Sequence, residues 1–133
     1  SSTCDKVISA PVDPKTGRLG WWREELAMPS PVYSSSACGV NDHLLSVGGR
    51  YKSKIPTNSI WYARLVDGRV QTWSMLKSDL STRVYHSLGL DKARGWIFIT
   101  GGQDKRVDSP VLGTVVDAVQ AFRIEQPQDA RLE

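Results

Sequence analysis

The sequence contains few of the residues that build metal centres and disulfide frameworks. Its 133 residues include two cysteines, Cys4 and Cys38, and two histidines, His43 and His86. Two cysteines are too few for a disulfide framework, and the four residues lack the spacing of zinc ligands. We therefore predict no metal and no other cofactor. For the cysteines, two buried free thiols are favoured over a single disulfide.

The sequence also lacks long apolar runs and a strong charge of one sign. No run approaches the roughly 18 apolar residues of a membrane span, and the first residues lack the layout of a secretion signal. Lysine plus arginine number 17 against 14 acidic residues, a formal charge of +3. Without a long apolar run, no membrane segment is predicted. Because the basic residues are spread along the chain, nucleic-acid binding is not predicted either. A cytoplasmic and an exported protein both fit this composition.

An internal repeat organises the chain. The segment LLSVGGR at Leu44–Arg50 matches IFITGGQ at Ile97–Gln103, 53 residues later. PVYSSSACGV similarly matches RVYHSLGLDK, and VISAPV matches IWYARL. A third copy begins at Val119–Ile124, where VQAFRI matches IWYARL again. We place the first repeat at about 5–57, the second at about 58–114 and the start of a third at about 115–133, all within one segment.

Each repeat predicts four short strands. Runs rich in β-branched and aromatic residues alternate with turn sequences such as DPKTG and VDG, and the second strands of the two repeats are predicted at Arg18–Trp22 and Arg69–Trp73. The apolar runs Leu44–Val47 and Trp96–Thr100 predict strands buried on both faces. The segment SPVLGTVVDAVQAF also fits a helix capped by Ser109, but Gly113 and the β-branched residues after it favour strands. The fold class is therefore all-β.

Four strands recurring about every 50 residues is the period of a β-propeller blade. The pair Gly48 and Gly49 after an apolar run, then Tyr62, Trp73 and the segment RVYHS, resembles the kelch repeat. The resemblance implies two four-stranded antiparallel kelch-like blades plus one extra strand, with Trp22 and Trp73 between blades. The third repeat stops before its Trp. Since two blades cannot close a ring, three completions are open: missing sequence, copies of the same chain, or blades of another protein.

The loops at one end of such blades are the predicted binding face. Loops on a rigid sheet scaffold are where recognition usually lies. Basic residues outnumber acidic ones there, which would suit an acidic partner. Our leading hypothesis is a non-catalytic module that presents these loops to a protein or glycan ligand. The candidate ligand-binding residues are Arg50, Tyr51, Lys52, Arg83, Gln103, Lys105 and Arg106.

Two alternatives stay open. Kelch-like propellers include sugar-modifying enzymes, and His86 departs from the repeat by standing where the other copy has Ser34. A catalytic site at the central tunnel would then use Arg83, Tyr85 and His86, with the histidine as general acid or base. Other kelch-like propellers oxidise alcohols at a copper site that needs several Tyr, His and Cys ligands from different blades. Two histidines in the whole sequence disfavour this enzyme type. The other alternative is a structural subunit of a larger assembly, whose blade faces form its interface.

Overall fold

The computed structural model describes residues 4–51, 57–76, 86–104, 114–115 and 119–123. Within these ranges every regular element is a strand, and the predicted all-β class is confirmed. No helix in the described ranges is long and apolar enough to cross a membrane. The strands are β1 (Ile8–Ser9), β2 (Arg23–Glu24), β3 (Ser36–Val40), β4 (His43–Val47), β5 (Ile60–Val66), β6 (Arg69–Leu76), β7 (Ser87–Asp91), β8 (Trp96–Thr100), β9 (Gln103–Asp104), β10 (Thr114–Val115) and β11 (Gln120–Arg123).

The central sheet is a four-stranded antiparallel meander in the order β3-β4-β5-β6. Its β5–β6 turn consists of Asp67 and Gly68, both with positive φ, of 51° and 73°. Asp-Gly is favoured in such two-residue hairpin turns because both positions need a left-handed backbone. The sheet runs across residues 57 and 58, so it combines the last two strands of the first repeat with the first two of the second.

The flanking sheets are shorter versions of the same arrangement. One contains three strands in the order β11-β8-β7, and another is the β1-β2 hairpin. A third pair, β9-β10, follows β8. By position in the repeat, β7 and β8 correspond to β3 and β4, and β1, β5 and β11 correspond to one another. The segment with an alternative helical interpretation contributes β10 and β11, both strands.

The central sheet is covered on both faces. Leu45, Val47 and Ile60 on one face pack with Ile97 and Ile99 of the three-stranded sheet. The opposite face packs against the N-terminal segment in a second cluster, formed by Met28, Val32, Ala63 and Trp73. The described sheets therefore lie face to face in the order of the chain, with the central sheet in the middle.

Several local expectations were wrong in detail. β2 forms at Arg23–Glu24 rather than over residues 18–22, where only Leu19 makes an isolated bridge, to Val12. β8 has the predicted bounds but is not buried on both faces, since Phe98 is 38% exposed. Both cysteines are free thiols, yet Cys4 is exposed rather than buried. Among the described residues the sheets do not close into a ring.

Candidate functional site

The predicted binding loops leave the sheets at one end. In an antiparallel sheet β4 ends where β3 and β5 begin, so the connection after β4 lies at that end, and the same holds after β8. The double glycines at the two exits have nearly identical backbones: φ is 67° and 92° at Gly48 and Gly49, and 67° and 91° at Gly101 and Gly102. The two loops therefore start in the same way.

The loop after β4 is closed at its base. The N–H of Thr57 donates to the carbonyl of Gly49 at 2.9 Å, which brings the two ends of the loop together. A hydroxyl cluster lies beside this closure: Tyr51 Oη is 3.3 Å from Ser59 Oγ, and Thr57 Oγ1 is 2.9 Å from the same oxygen. Thr57 and Ser59 are buried. The base of the loop is thus fixed by hydrogen bonds on a sheet scaffold.

The hydroxyl cluster changes the acidity of Tyr51. Burial by itself raises the pKa of the phenol and is the largest single contribution, but the polar groups of Ser59, Thr57 and Trp61 together outweigh it, and the pKa is lowered. The indole N–H of Trp61 contributes to the same lowering although it makes no well-aligned hydrogen bond. Hydrogen bonds to the phenol oxygen stabilise the ionised form of Tyr51, and this explains the direction of the pKa shift.

Arg50 belongs to the framework of this loop. Its backbone exchanges two hydrogen bonds with Tyr33, at 2.9 and 3.0 Å, and only 8% of the residue is exposed. Close packing explains the neighbouring glycine: a Cβ on Gly49 would lie 2.8 Å from the carbonyl oxygen of Tyr33. The sequence singled out Arg50 and Tyr51 as ligand contacts, and the structure brings both to the loop base, where Arg50 faces inward.

The other candidate ligand residues are distributed differently. Gln103 begins β9, opposite Val115 of β10, and is half-buried. The remaining candidates lie outside the described residues: Lys52, Arg83, Lys105 and Arg106.

His86, proposed as a weak catalytic candidate, is buried and holds two sheets together. Its Nε2 lies 2.9 Å from the carbonyl oxygen of Val47, so Nε2 carries the hydrogen. Ser36 Oγ donates to the carbonyl of His86 at 2.7 Å. These contacts join the start of β7 to β3 and β4. The companion candidates, Arg83 and Tyr85, fall outside the described residues.

A buried carboxylate network was missed by the sequence analysis. Both oxygens of Glu25, whose side chain is 1% exposed, accept hydrogen bonds: Oε2 from Ser9 and Arg23, and Oε1 from Arg69 and the N–H of Val70. These donors, the Ser9 hydroxyl first, lower the pKa of Glu25 from 4.5 to about 2 although burial opposes them. No spacing rule links residues 44 and 45 positions apart, and the network appears only when the β1-β2 hairpin lies on the central sheet.

A groove of about 390 Å³ separates the N-terminal segment from the central sheet. Its walls are mostly apolar, and two of its polar groups, Ser35 and Ser46, lie 3.3 Å apart and bond to each other. A binding pocket needs polar groups that converge on the ligand. This groove therefore has an apolar surface but no set of polar groups that converge on a ligand. Its lining residues include Cys4, Val7, Met28, Leu44 and Trp73.

Within the part of the chain that the structure describes, no group of three or more histidine, cysteine or acidic side chains is arranged to hold a metal ion. No protein-family profile matches the sequence, and no curated protein gives a significant match.

Proposed function

We propose that the protein is a non-catalytic binding module of the kelch-like propeller type, which presents the loops at one end of its sheets to a protein or glycan ligand. The observation that carries the proposal is the closed loop after β4. The Thr57–Gly49 hydrogen bond and the hydroxyl cluster at Tyr51 fix its base. A loop whose base is already closed loses less entropy when it binds, and this preorganisation favours recognition.

The kelch-like architecture is supported by the central sheet and its neighbours. One propeller blade is a four-stranded antiparallel sheet, which is the arrangement of β3 to β6. Blades bury their faces on one another, and the central sheet packs on a sheet or hairpin at each face. The repeat of the double glycine with the same φ angles is a further property that successive blades would share.

The charge of the loops indicates an acidic ligand. The loop after β4 carries Lys52 and Lys54, and the predicted loop Gln103–Pro110 carries Lys105 and Arg106 against Asp104 and Asp108. Flexible basic side chains steer acidic partners by their field and add affinity mainly through electrostatic attraction. Because Arg50 faces inward, the two lysines are the better candidates for direct contact.

The test reverses the charge of one loop while leaving the framework intact. The double variant Lys52→Glu, Lys54→Glu is compared with wild type on a glycan array that includes sialylated and sulfated sugars, and on an immobilised polyglutamate peptide. We expect wild type to bind at least one acidic probe and the variant to lose about tenfold or more in affinity, a plausible loss when two attractive charges become repulsive.

The matched control places the same charge change at the opposite end of the sheets. Lys15 and Lys92 are exposed in the Asp13–Gly17 and Asp91–Gly95 turns. The variant Lys15→Glu, Lys92→Glu has the same net charge as the loop variant and should bind like wild type. Equal losses of affinity in both variants would show that binding depends on net charge and not on the loop. A wild-type protein that binds none of the acidic probes would overturn the proposed acidic ligand.

A sugar-modifying activity gains no specific support from the described geometry. Its one described candidate residue, His86, is buried and its Nε2 is committed to a backbone carbonyl. A general base needs to reach the proton it takes from the substrate. The binding function is therefore the better-supported proposal.

A further inference from the structure

The phenol of Tyr51 lies among several hydrogen-bond donors. Its Oη is 3.3 Å from Ser59 Oγ and 3.4 Å from Thr57 Oγ1, and the oxygens of Thr57 and Ser59 are 2.9 Å apart. The N–H of Ser59 donates to Thr57 Oγ1 at 3.0 Å, which fixes the threonine side chain. The hydroxyl proton of Thr57 can therefore point to Ser59 or to Tyr51.

The indole N–H of Trp61 is a further donor at the same place. Its Nε1 is buried and makes no hydrogen bond within the part of the chain that the structure describes. A buried N–H without an acceptor is destabilising. Because Trp61 contributes to the lowered pKa of Tyr51, its N–H lies close enough to interact with the phenol oxygen. Ionisation of Tyr51 would give this N–H an acceptor.

Loss of the phenol proton lets all of these donors find an acceptor. While Tyr51 is neutral, its own proton competes with the protons of Thr57 and Ser59 for three hydroxyl oxygens. A phenolate oxygen only accepts, so Ser59, Thr57 and Trp61 can all donate to it. The causes of the pKa shift are burial and these three groups, with no charged side chain among them. The cluster is therefore complementary to the ionised form of Tyr51.

Tyr51 is nevertheless in contact with solvent. Thr57 and Ser59 are 6% and 8% exposed, whereas Tyr51 is half-buried. The donors are thus held inside the protein while part of the tyrosine remains accessible. A small reagent can reach this residue without opening the base of the loop.

Two other tyrosines provide internal references. Tyr33 and Tyr62 are half-buried like Tyr51. Neither hydroxyl makes a hydrogen bond in the described part of the chain, and Tyr62 has a tilted ring contact with His43 instead. The three residues therefore differ in the donors around the phenol oxygen more than in exposure.

We propose that Tyr51 is a site of selective covalent modification by electrophiles that attack phenolates, nitrating agents among them. With tetranitromethane, the ring carbon next to the oxygen-bearing carbon forms a bond to the nitrogen of one nitro group. The bond from that nitrogen to the reagent carbon breaks, and its electron pair leaves with trinitromethanide. The ring carbon then loses its proton to water. The proposal concerns the base of the loop and does not depend on which ligand the loop binds.

The first test compares nitration rates of individual tyrosines in the folded chain. The two cysteines are blocked with iodoacetamide, and the protein is treated with tetranitromethane near neutral pH. Mass spectrometry of peptides measures nitrotyrosine at each position over time. We expect Tyr51 to react at least about threefold faster than Tyr33 and Tyr62, since the rate follows the ionised fraction and half a pKa unit changes that fraction about threefold.

Two variants remove single donors. Trp61→Phe keeps an aromatic ring and removes the N–H, and Ser59→Ala removes a hydroxyl but keeps the backbone N–H that binds Thr57. Each should slow the nitration of Tyr51 by about threefold or more, because a hydrogen bond to a charged group is lost. The matched control is Trp96→Phe, which removes an indole N–H from β8 of the three-stranded sheet and should leave the rate unchanged.

A titration reads the ionisation of Tyr51 without any reagent. The phenolate absorbance of wild type minus that of Tyr51→Phe isolates this residue. Its midpoint should lie below the ordinary value of 10, and Trp61→Phe should raise it. A merely structural role of Trp61 would leave the midpoint unchanged.

The proposal is wrong if Tyr51 reacts no faster than Tyr33 and Tyr62 in the wild-type chain. It is equally wrong if Trp61→Phe leaves the rate of Tyr51 unchanged, or if Trp96→Phe slows it by the same factor. Circular-dichroism spectra that match wild type verify that the variants are folded. Should Ser59→Ala fail to fold, Trp61→Phe and its control decide the question by themselves.

Discussion

The central sheet and the sheets beside it have the same repeated positions but bury them to different degrees. Leu45 of β4 is fully buried, and its counterpart Phe98 of β8 is 38% exposed. Trp73 and Trp22, at matched positions 51 residues apart, differ in the same way, with exposures of 7% and 61%. The strands, turns and registers correspond, so the difference comes from the number of neighbouring sheets. In this molecule a position is buried because another sheet lies on it, and local sequence alone does not determine its burial.

This comparison predicts an unequal distribution of stability. Burying a large aliphatic side chain contributes about 1.5–3 kcal/mol relative to leaving it in water. The central sheet gains this contribution on both faces, whereas the described residues cover each flanking sheet on one face. Substitutions at matched positions should therefore have large effects in the central sheet and small ones at the ends.

The largest difference is expected between the two tryptophans. Trp73→Ala removes a buried side chain and its hydrogen bond to Leu26, and should lower the free energy of unfolding by about 3–5 kcal/mol. Trp22→Ala should change it by less than about 0.5 kcal/mol, as exposed positions do. Urea unfolding of dilute protein measures both values. Equal losses would mean that both tryptophans are buried to the same extent in solution.

A second pair compares the strands that follow the shared turns. Leu45→Ala should destabilise the chain by about 2–5 kcal/mol because it leaves a cavity in the core. Phe98→Ala should cost about 1 kcal/mol, since the ring is 38% exposed. Thermal unfolding of the two variants shows which substitution destabilises the chain more. A larger loss for Phe98 would indicate that its face is covered in the isolated chain.

A third pair compares the loop end with the opposite end of the sheets. Gly49 has a φ of 92° and a backbone oxygen 2.8 Å from the place of a Cβ, whereas Gly17 has a φ of 73° and open space around it. Gly49→Ala should cost about 2 kcal/mol or more, from strain and displacement of Tyr33. Gly17→Ala should cost about 1 kcal/mol, from the left-handed backbone alone. Chemical denaturation distinguishes them, and similar losses would show that the loop base tolerates displacement.

A fourth pair concerns how the hairpin is joined to the central sheet. Because the folded pKa of Glu25, about 2, lies below its ordinary value of 4.5, its contribution to stability is present above pH 4.5 and is lost as the pH falls towards 2. Glu25→Gln should remove this part of the pH dependence. The exposed neighbour Glu24 provides the control, and Glu24→Gln should keep the wild-type profile. Unfolding free energies measured between pH 2 and pH 6 test this prediction, since these limits bracket the two pKa values. If Glu25→Gln kept the wild-type pH dependence, Glu25 would not be its source.

The sequence predicted the parts of the fold that depend on local chemistry. The run WIFIT gave β8 with the expected bounds, and Asp67-Gly68 formed the expected hairpin turn. The position of β2 was mispredicted. Residues 23–25 are held by side-chain contacts to the distant residues Arg69 and Val70, and no local pattern reveals them.

The candidate site was predictable in position and not in role. The double glycine located the loop after β4, but no local pattern indicated that Arg50 faces inward or that Tyr51 joins two buried hydroxyls. Side-chain direction at a loop base depends on how the chain closes, here through Thr57 and Gly49. His86 stood out by departing from the repeat, and its structural contact to Val47 is an equally good reason for that departure.

The most direct test of the account is fluorine NMR of dilute protein in which the tryptophans are replaced by 5-fluorotryptophan. The five resonances are assigned by single substitutions, and solvent exposure is read from their shifts between H2O and D2O. We predict that in dilute protein Trp73 is protected, whereas Trp21 and Trp22 are exposed. Equal protection of Trp22 and Trp73 in dilute protein would contradict the account.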